Sequence, residues 1–289
     1  MSDFRIGKFQ VIETLGTGAH STILHVRRSA DGKNYALKVV PIGGPDDQKF
    51  LEQAQHEFRV AQLLDHPGLI KVYALETVKD WLFRVKKAHL LIEYVNGKTL
   101  DTCPRIPMPQ LVQVFERVAA AMVHLHRRQV YHADLKPNNV MLSRSGDVKV
   151  IDFGLAWIRG EGKDRVQGTP EYMAPEQVRH KMVNEHTDIY NFGATMYRLV
   201  TWRHPPSTVS TEDGGLPINA KMWKRLFKPV EEFNPQAPPA LCELIHRCLS
   251  YEALNRPERM SEVQGALDRM VDELVQGPED RLEALEWEE

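Results

Sequence analysis

One short stretch of the chain concentrates side chains that suit work on phosphate and a divalent cation. Asp134, Lys136 and Asn139 place a carboxylate, an ammonium and an amide within six residues. Asp152 adds a second carboxylate thirteen positions after Asn139, and Gly154 lets the chain turn sharply behind it. Carboxylate and amide oxygens are hard ligands of the type that Mg²⁺ takes. A solvated polar loop would explain either group alone, but their joint order predicts a site for phosphate chemistry.

A glycine-containing run upstream, residues 15 to 23, lies between two alternating apolar stretches. This pattern predicts a glycine-tipped hairpin rather than a loop that enters a helix. Gly16 and Gly18 allow backbone N–H groups to approach a phosphate closely, although such a run alone is more often an ordinary turn. A strand predicted at residues 35 to 40 follows at hairpin distance and carries Lys38.

A helix is predicted between this strand and Pro67. Ala54, Phe58, Ala61 and Leu64 form one apolar stripe at helical spacing. The helix should end before Pro67, because the residue that precedes a proline disfavours helical backbone.

The second half of the chain has a mainly helical pattern. Apolar residues spaced by three and four between residues 111 and 125 predict a long amphipathic helix that leads into the Asp134 loop. Two apolar runs, residues 140–142 and 148–151, predict a short hairpin that presents Asp152 at its end.

In order and spacing, these features resemble the catalytic domain of eukaryotic-like (Hanks-type) serine/threonine protein kinases, in a compact form similar to that of bacteria. The resemblance covers residues 9 to 275. It implies an α+β, bilobal fold. The N-lobe, residues 1–95, would hold a small antiparallel β-sheet and one helix; the C-lobe, residues 96–275, would be larger and mainly helical. An acidic tail, residues 276–289, would follow.

The resemblance assigns four catalytic roles. Asp134 would orient a substrate hydroxyl and accept its proton, and Lys136 would lie beside the transferred phosphoryl group. Lys38 would hold the α- and β-phosphates of ATP and form an ion pair with Glu57 in the middle of the predicted helix. Glu52 is the alternative partner if the helix register differs.

The resemblance also implies the cofactors, ATP and Mg²⁺, with Mn²⁺ as an alternative metal. Asn139 and Asp152 would bind the metal. The resemblance also implies ten further nucleotide-binding positions, which would contact the phosphates, the adenine or the ribose. These are Leu15, Gly16, Gly18, Ile23, Ala36, Ile92, Glu93, Val95, Thr99 and Met141.

A strip at residues 168–176 resembles the family's substrate-docking segment, with Thr169 near Asp134 and with Tyr172 also in the strip. The family pattern further implies that Glu176 pairs with Arg256. It also implies that Asp188 braces the backbone of the catalytic loop. Lys136 and Thr169 favour the serine/threonine branch, so proteins bearing Ser or Thr are the expected substrates.

The chain departs from the family pattern at several positions. Ser21 replaces the third glycine of the glycine run, and Ala133 stands where the family usually has an arginine that binds a phosphate on the activation segment. Between residues 153 and 176 only Thr169 and Tyr172 carry hydroxyl groups. We therefore expect activity without phosphorylation of this segment.

A second departure concerns substrate preference. Thr99 and Asn138 occupy positions where arginine-directed kinases often carry acids. A preference for basic residues before the target serine is thus not expected.

Bulk properties limit the partners. The chain has 289 residues, 42% hydrophobic and 26% charged, which is ordinary for a globular protein with a substantial core. Lys and Arg number 37 against 39 Asp and Glu, so neither nucleic acid nor an anionic membrane is an expected partner. The start of the chain lacks a signal-peptide core and no apolar run is long enough to span a membrane. Cys103, Cys242 and Cys248 lack metal-site spacing, which fits a reducing cytoplasm.

The tail from Glu279 onward contains six acidic residues against Arg281 alone, with apolar residues interspersed. A frayed end is the favoured interpretation. A short helix docked on the kinase body, or on a regulatory partner, is the alternative.

Two other function classes compete with an active protein kinase. A pseudokinase would keep the fold without turnover, but Lys38, Asp134, Asn139 and Asp152 are all present. A small-molecule kinase of the aminoglycoside or choline type would share the aspartates and the asparagine. Lys136 and the docking strip argue against that class.

Overall fold

The computed structural model describes residues 5–18, 20–161, 167–180, 182–209 and 217–285. Predictions that fall on residues 1–4, on residue 19, on residues 162–166 or on the last four residues of the tail lie outside this part of the chain. The structure divides into two compact units. Unit 1 comprises residues 1–65, 69–96 and 152–154, and unit 2 comprises residues 66–68, 97–151 and 155–289.

Unit 1 is a six-stranded antiparallel sheet with one long helix. Its strand order is β1-β2-β3-β4-β6-β5, which leaves β5 at one edge. Strand alternation buries Phe9, Val26 and Leu37 together in a core on one side of the sheet. The strands are β1 (Arg5–Ile6), β2 (Phe9–Gly18), β3 (Ser21–Arg28), β4 (Asn34–Pro41), β5 (Val72–Lys79) and β6 (Val85–Glu93), and the helix is α1 (Gln48–Ala61).

The buried face of α1 differs from the predicted stripe. Glu57 lies on that face between Ala54 and Val60, whereas Phe58 is half-buried. The helix ends at Ala61, so Leu64 lies beyond it. The predicted stripe is therefore correct at Ala54 and Ala61 and wrong in placing Leu64 on the helix, while Glu57, which was predicted to pair with Lys38, shares the buried face.

Unit 2 is mainly helical. Helix α2 packs against α8, and α4 packs against α7. Phe115 of α2 and Phe192 of α4 meet edge to face in the core, with ring centroids 6.2 Å apart. The helices are α2 (Met108–Arg127), α3 (Pro175–His180), α4 (Glu185–Thr201), α5 (Ala220–Leu226), α6 (Val230–Phe233), α7 (Pro239–Cys248) and α8 (Met260–Leu274).

Short strands of unit 2 carry the loops on which the predicted catalytic residues lie. Strand β9 pairs with both β7 and β10, and β11 pairs with β8. The predicted hairpin around Gly146 is formed by β9 and β10. The strands are β7 (Gly97–Thr99), β8 (Val130–Tyr131), β9 (Val140–Ser143), β10 (Val148–Val150) and β11 (Trp157–Ile158).

The described part of the acidic tail is docked on unit 2, so a frayed end was the wrong choice there. Gln110 of α2 donates a hydrogen bond to the carbonyl of Glu279 at 2.9 Å, and Arg117 of α2 binds the Glu283 carboxylate at 3.1 Å. The side chain of Leu282 is only 1% exposed. Buried side-chain amides thus satisfy the tail backbone.

No helix within the described residues combines the length and apolarity that crossing a bilayer requires.

Candidate active site

A buried ion pair lies at the centre of unit 1. Lys38 projects from β4, and its Nζ donates a hydrogen bond to Oε2 of Glu57 at 2.7 Å. The same ammonium lies 3.8 Å from Oδ1 of Asp152. Glu57, rather than the alternative Glu52, is therefore the partner, and its side chain is almost fully buried.

Electrostatics in this cluster favour a charged lysine. Burial alone would lower the pKa of Lys38, but the carboxylates of Glu57 and Asp152 outweigh burial and raise it. Burial raises the pKa of Glu57, and the Lys38 charge opposes that rise. At 2.7 Å the ammonium and carboxylate stabilise each other's charged forms, so we treat the pair as ionised at neutral pH.

A cavity of about 190 Å³ opens beside this pair. Ser21 from the glycine-tipped hairpin, Lys38, Glu57 and Asp152 all line it. The ring of His20, at the tip of the hairpin, stacks on Phe50 of α1 with centroids 3.8 Å apart. The tip of the glycine-run hairpin, β4 and α1 therefore line an open cavity with a cation in its wall.

The predicted adenine-binding residues of unit 1 lie on neighbouring strands. Gly16 pairs with Ile23, and Ile23 pairs with Lys38 across β3 and β4. Ala36 pairs with Ile92 of β6. Leu15 is on β2 with Gly16 and Gly18, Glu93 ends β6, and Val95 follows it.

Two further predicted nucleotide contacts belong to unit 2, where Thr99 of β7 pairs with Met141 of β9. The pairing depends on Gly97. A Cβ atom at that position would overlap the carbonyl oxygen of Leu142. Sequence reasoning did not identify this requirement, although a glycine beside a short strand is a known sign of close backbone approach.

The predicted catalytic residues Asp134 and Lys136 and the predicted metal ligand Asn139 come together in unit 2. Oδ1 of Asp134 accepts hydrogen bonds from the backbone N–H and the hydroxyl of Thr169, both at 2.8 Å. Nζ of Lys136 lies 2.8 Å from Oδ2 of Asp134 and donates to the Thr169 hydroxyl at 2.6 Å. Nδ2 of Asn139 donates to the backbone carbonyl of Asp134 at 2.8 Å. The predicted contact of Thr169 with the Asp134 loop is present.

Asp188, at the start of α4, holds the backbone of that loop. Its carboxylate accepts from the N–H groups of His132 at 2.9 Å and Ala133 at 2.8 Å. This bracing matches the sequence-based expectation. Ala133 has a φ of +64°, in the left-handed region, so the loop makes a turn that an alanine adopts only at some cost.

His126 of α2 supports Asp188 and was missed by sequence reasoning. Its Nε2 lies 2.8 Å from Oδ2 of Asp188. Its Nδ1 lies 3.2 Å from Oε1 of Glu185, an electrostatic contact rather than an aligned hydrogen bond. Burial would lower the pKa of His126, but the two carboxylates outweigh burial and raise it to about 9. The imidazole is thus a cation between two anions. A histidine on an amphipathic helix gives no such signal in the sequence.

Gln177 is a second residue that sequence reasoning missed. Its Nε2 donates to the backbone carbonyl of Ala133 and to that of Gln167, each at 2.8 Å. One buried side-chain amide therefore links the catalytic loop to the segment before Thr169. Its neighbour Glu176 could be identified because it belongs to the predicted docking strip at residues 168–176, whereas Gln177 lies just outside that strip.

Asp152 and Gly154 form a tight turn in unit 1. The backbone N–H of Gly154 donates to Oδ1 of Asp152 at 3.2 Å, and Asp152 itself has a φ of +64°. A Cβ atom on Gly154 would lie 2.8 Å from Nε2 of Gln53, the end of an exposed side chain that can move aside, and the left-handed backbone of this turn falls on Asp152 rather than on the glycine. The turn thereby sets the direction of the Asp152 carboxylate.

The predicted docking strip is held by buried contacts. Nη1 and Nη2 of Arg256 donate to the two carboxylate oxygens of Glu176 at 2.8 and 3.0 Å. Burial would raise the pKa of Glu176, but Arg256 outweighs burial and lowers it. Tyr172 is 4% exposed and its carbonyl accepts from Asn191, so any contribution of its side chain to docking is indirect.

The chain is similar to known proteins over most of its length. The family model of the protein kinase domain matches residues 9–267. The chain is 24% identical over 274 residues to the serine/threonine-protein kinase PrkC of Bacillus subtilis, covering 92% of this chain and 41% of that protein. It is 29% identical over 266 residues to the cAMP-dependent protein kinase type 3 of Saccharomyces cerevisiae, covering 90% of this chain and 63% of that protein.

A third relative is the CBL-interacting serine/threonine-protein kinase 3 of Arabidopsis thaliana, 28% identical over 266 residues, covering 87% of this chain and 56% of that protein. The chain thus spans less than two thirds of the length of each of these relatives.

Proposed function

The chain belongs to the protein kinase domain family, and from that premise we propose that it transfers the γ-phosphate of ATP to serine or threonine hydroxyls of proteins. The expected bilobal kinase fold, with a β-sheet N-lobe and a helical C-lobe, is confirmed. The observation that carries the proposal is the arrangement of Asp134, Lys136 and Thr169, in which a carboxylate and an ammonium share one hydroxyl.

Asp134 is the proposed base. Its carboxylate is held by four donors, two from Thr169, one from Lys136 and one from Asn139, so it needs little reorganisation before it accepts a proton from a substrate hydroxyl. Lys136 is proposed to neutralise charge that develops on the transferred phosphoryl group. Phosphoryl transfer depends mainly on such positioning and charge stabilisation.

Lys38 and Glu57 are proposed to hold the nucleotide phosphates. The raised pKa of Lys38 keeps the ammonium charged, and Glu57 restrains its direction. The remaining nucleotide contacts proposed are those expected from the sequence: Leu15, Gly16, Gly18, Ile23, Ala36, Ile92, Glu93, Val95, Thr99 and Met141.

The family uses ATP and a divalent metal, and we propose Mg²⁺, with Mn²⁺ as an alternative. Asn139 and Asp152 would bind it. The donor set fits: Nδ2 of Asn139 is engaged by Asp134, which orients the amide so that its oxygen can act as a ligand. Few protein ligands are needed, because Mg²⁺ sites in kinases are completed by phosphate oxygens and water. When bound, the metal would neutralise phosphate charge.

We propose that activity does not require phosphorylation of the activation segment. Ala133 cannot bind a phosphate through its side chain, and Gln177 already ties the loop at Ala133 to Gln167. Pairing of β11 with β8 holds the segment at Trp157 and Ile158. These contacts supply order that a phosphate–arginine contact supplies in other kinases.

The proposed place of action is the cytoplasm. The three cysteines are buried free thiols, as a reducing compartment allows. A regulatory partner at the acidic tail is also proposed. Such a partner would have to displace Leu282 from its buried position or bind the tail where it lies.

Transfer of labelled phosphate to casein or myelin basic protein tests the function. Wild type with ATP and Mg²⁺ should label serine or threonine, and Asp134→Asn should lower the rate by about 10²- to 10⁴-fold. Asp65→Asn, at an exposed carboxylate, is the matched control and should leave the rate unchanged. ATP binding without transfer to any protein would indicate a pseudokinase. Transfer confined to small metabolites would indicate a small-molecule kinase.

A further inference from the structure

The turn between β5 and β6 exposes three consecutive large apolar side chains. Trp81 is 84% exposed and Phe83 is 82% exposed, and Leu82 between them is also exposed. We call residues 79 to 87 the hairpin tip. Exposed apolar residues are normally scattered singly, whereas three in a row at one turn form a contiguous patch that calls for an occupant.

The hairpin tip is an ordered turn rather than a frayed loop. Oδ1 of Asp80 accepts from the N–H groups of Leu82 at 2.8 Å and Arg84 at 3.0 Å. The backbone N–H of Asp80 donates to the carbonyl of Arg84 at 2.9 Å, and that of Phe83 donates to the carbonyl of Asp80 at 3.0 Å. Phe83 has a φ of +61°, which costs energy for a bulky side chain. The turn therefore holds its apolar side chains in water in one defined arrangement.

The hairpin tip extends beyond the rest of the sheet. Pairing between β4 and β6 ends at Pro41 and Lys87, and one further hydrogen bond joins Ile42 to Lys86. Pairing between β5 and β6 continues past this point to Lys79 and Val85. Beyond Lys86 only two strands remain, so the apolar residues lie at the end of a projecting ribbon.

Cations flank the apolar residues. Lys79, Arg84, Lys86 and Lys87 are all exposed. The only acid among residues 79 to 87 is Asp80, which is used by the turn and lies 3.8 Å from Lys86. The whole chain carries a net charge of −2, so the hairpin tip has the opposite sign to the chain average.

We propose that the hairpin tip inserts into the interfacial region of an anionic lipid bilayer. Trp and Phe favour the boundary between headgroups and acyl chains, and basic residues beside them are attracted to anionic headgroups. This local feature departs from the expectation, based on overall charge, that an anionic membrane is not a partner. The net charge of the whole chain does not reveal that four cations are clustered at one turn.

Other occupants fit the hairpin tip less well. Two copies meeting at this turn would bring two sets of like charges together, which opposes association. A single-stranded nucleic acid would use the basic and aromatic residues through stacking, but Leu82 has no ring on which a base could stack. A projecting tip would also need a matching concave groove on a protein partner, whereas a bilayer surface accepts it without one.

Co-sedimentation with vesicles tests the proposal. Wild-type protein should bind vesicles of phosphatidylcholine with about 30 mol % phosphatidylserine at least about tenfold more tightly than vesicles of phosphatidylcholine alone. Raising the salt concentration from about 0.1 M to about 1 M should weaken binding, because the screening length falls from about 10 Å to about 3 Å. The double variant Trp81→Ser, Phe83→Ser should lose binding while its kinase activity stays at the wild-type level.

Two matched controls isolate the hairpin tip. Leu254→Ser removes another highly exposed apolar side chain and should bind vesicles like wild type. Lys86→Gln, Lys87→Gln should weaken binding to the anionic vesicles, whereas Lys221→Gln, Lys224→Gln, in an exposed cluster of unit 2, should not. Circular dichroism and thermal unfolding verify that each variant is folded.

Several results would overturn the proposal. These are no binding of wild type to the anionic vesicles, equal binding by the Trp81→Ser, Phe83→Ser variant, or equal loss in the Leu254→Ser control. A wild-type dimer that this variant converts to monomer would assign the hairpin tip to a second copy instead. Tighter binding to a single-stranded oligonucleotide than to vesicles would assign it to nucleic acid.

Discussion

The side chain of Gln177 donates a hydrogen bond to the backbone carbonyl of Ala133 over 2.8 Å. Its second bond reaches the carbonyl of Gln167, so one amide connects two segments that lie 34 residues apart, at residues 133 and 167. We infer that its nitrogen positions the loop that carries Asp134.

Gln177→Leu should lower both stability and phosphotransfer. Two backbone carbonyls lose a donor, and an unsatisfied buried polar group costs about 1–3 kcal/mol. Urea unfolding measures the stability loss, and kcat with a protein substrate measures the effect on the loop. Gln55→Leu, at an exposed position on α1, is the control and should change neither quantity appreciably. Equal behaviour of the two variants would contradict the positioning role.

Phosphatase-treated enzyme should retain full activity. The segment from β11 to α3 is held at Trp157, Gln167 and Thr169 by contacts that involve no phosphate. Activity toward casein before and after treatment, with mass spectrometry to verify that the protein is free of phosphate, provides the measurement. A large loss of activity on treatment would overturn this expectation.

The contribution of His126 to stability should depend on pH. Its pKa is about 9 in the folded protein and about 6.5 when unfolded, because Asp188 and Glu185 stabilise the imidazolium. Protons therefore bind more tightly to the folded state, and the stabilisation is fully present below pH about 6.5 and is lost as pH rises to about 9. The unfolding free energy of wild type relative to His126→Gln should fall by up to about 3 kcal/mol across that window. A difference that is constant with pH would exclude an ionised His126.

Leu282→Ala should destabilise the protein by about 2 kcal/mol, because the mutation removes a buried side chain. This value is the lower end of the range for a buried leucine, since Leu282 lies near the end of the chain. Denaturant unfolding measures the change. Leu254→Ala, at an exposed leucine, should stay within about 0.5 kcal/mol of wild type. If the tail were frayed, both variants would match wild type.

A peptide array should show no dominance of arginine before the target serine. Thr99 carries no charge, and Asn138 uses its amide to donate to the Asp101 carboxylate at 3.0 Å. Because the Asp101 carboxylate already accepts this hydrogen bond, we do not expect it to attract a basic substrate residue, and Asp101→Asn should leave the profile essentially unchanged. A profile led by upstream arginine in wild type would refute the prediction.

Short motifs with strict chemical requirements were predictable from the sequence. Asp134, Lys136 and Asn139 lie within six residues, so their proximity follows largely from chain connectivity. Glu57 could be assigned as the partner of Lys38 because the kinase family pattern has such a glutamate in the middle of the corresponding helix.

Features that depend on distant partners could not be predicted. The contact of Gln110 with the tail joins residues 169 positions apart, and nothing local to either segment signals it. The edge strand β5 escaped notice because its sequence does not alternate: four apolar residues stand in a row at its start, and both of its faces are largely exposed after them. Trp81 and Phe83 are the opposite case: large aromatic side chains are usually expected in the core, but here both are exposed.

The absence of a side chain at Gly97 has a consequence for how strand β7 aligns. Its backbone lies against Leu142 so closely that even a methyl group would collide. A slip of β7 by one residue would bring the Cβ of Asn96 or Lys98 to that point and would be blocked. The lack of a side chain at Gly97 thus fixes the register of β7 on β9, in which Thr99 lies opposite Met141.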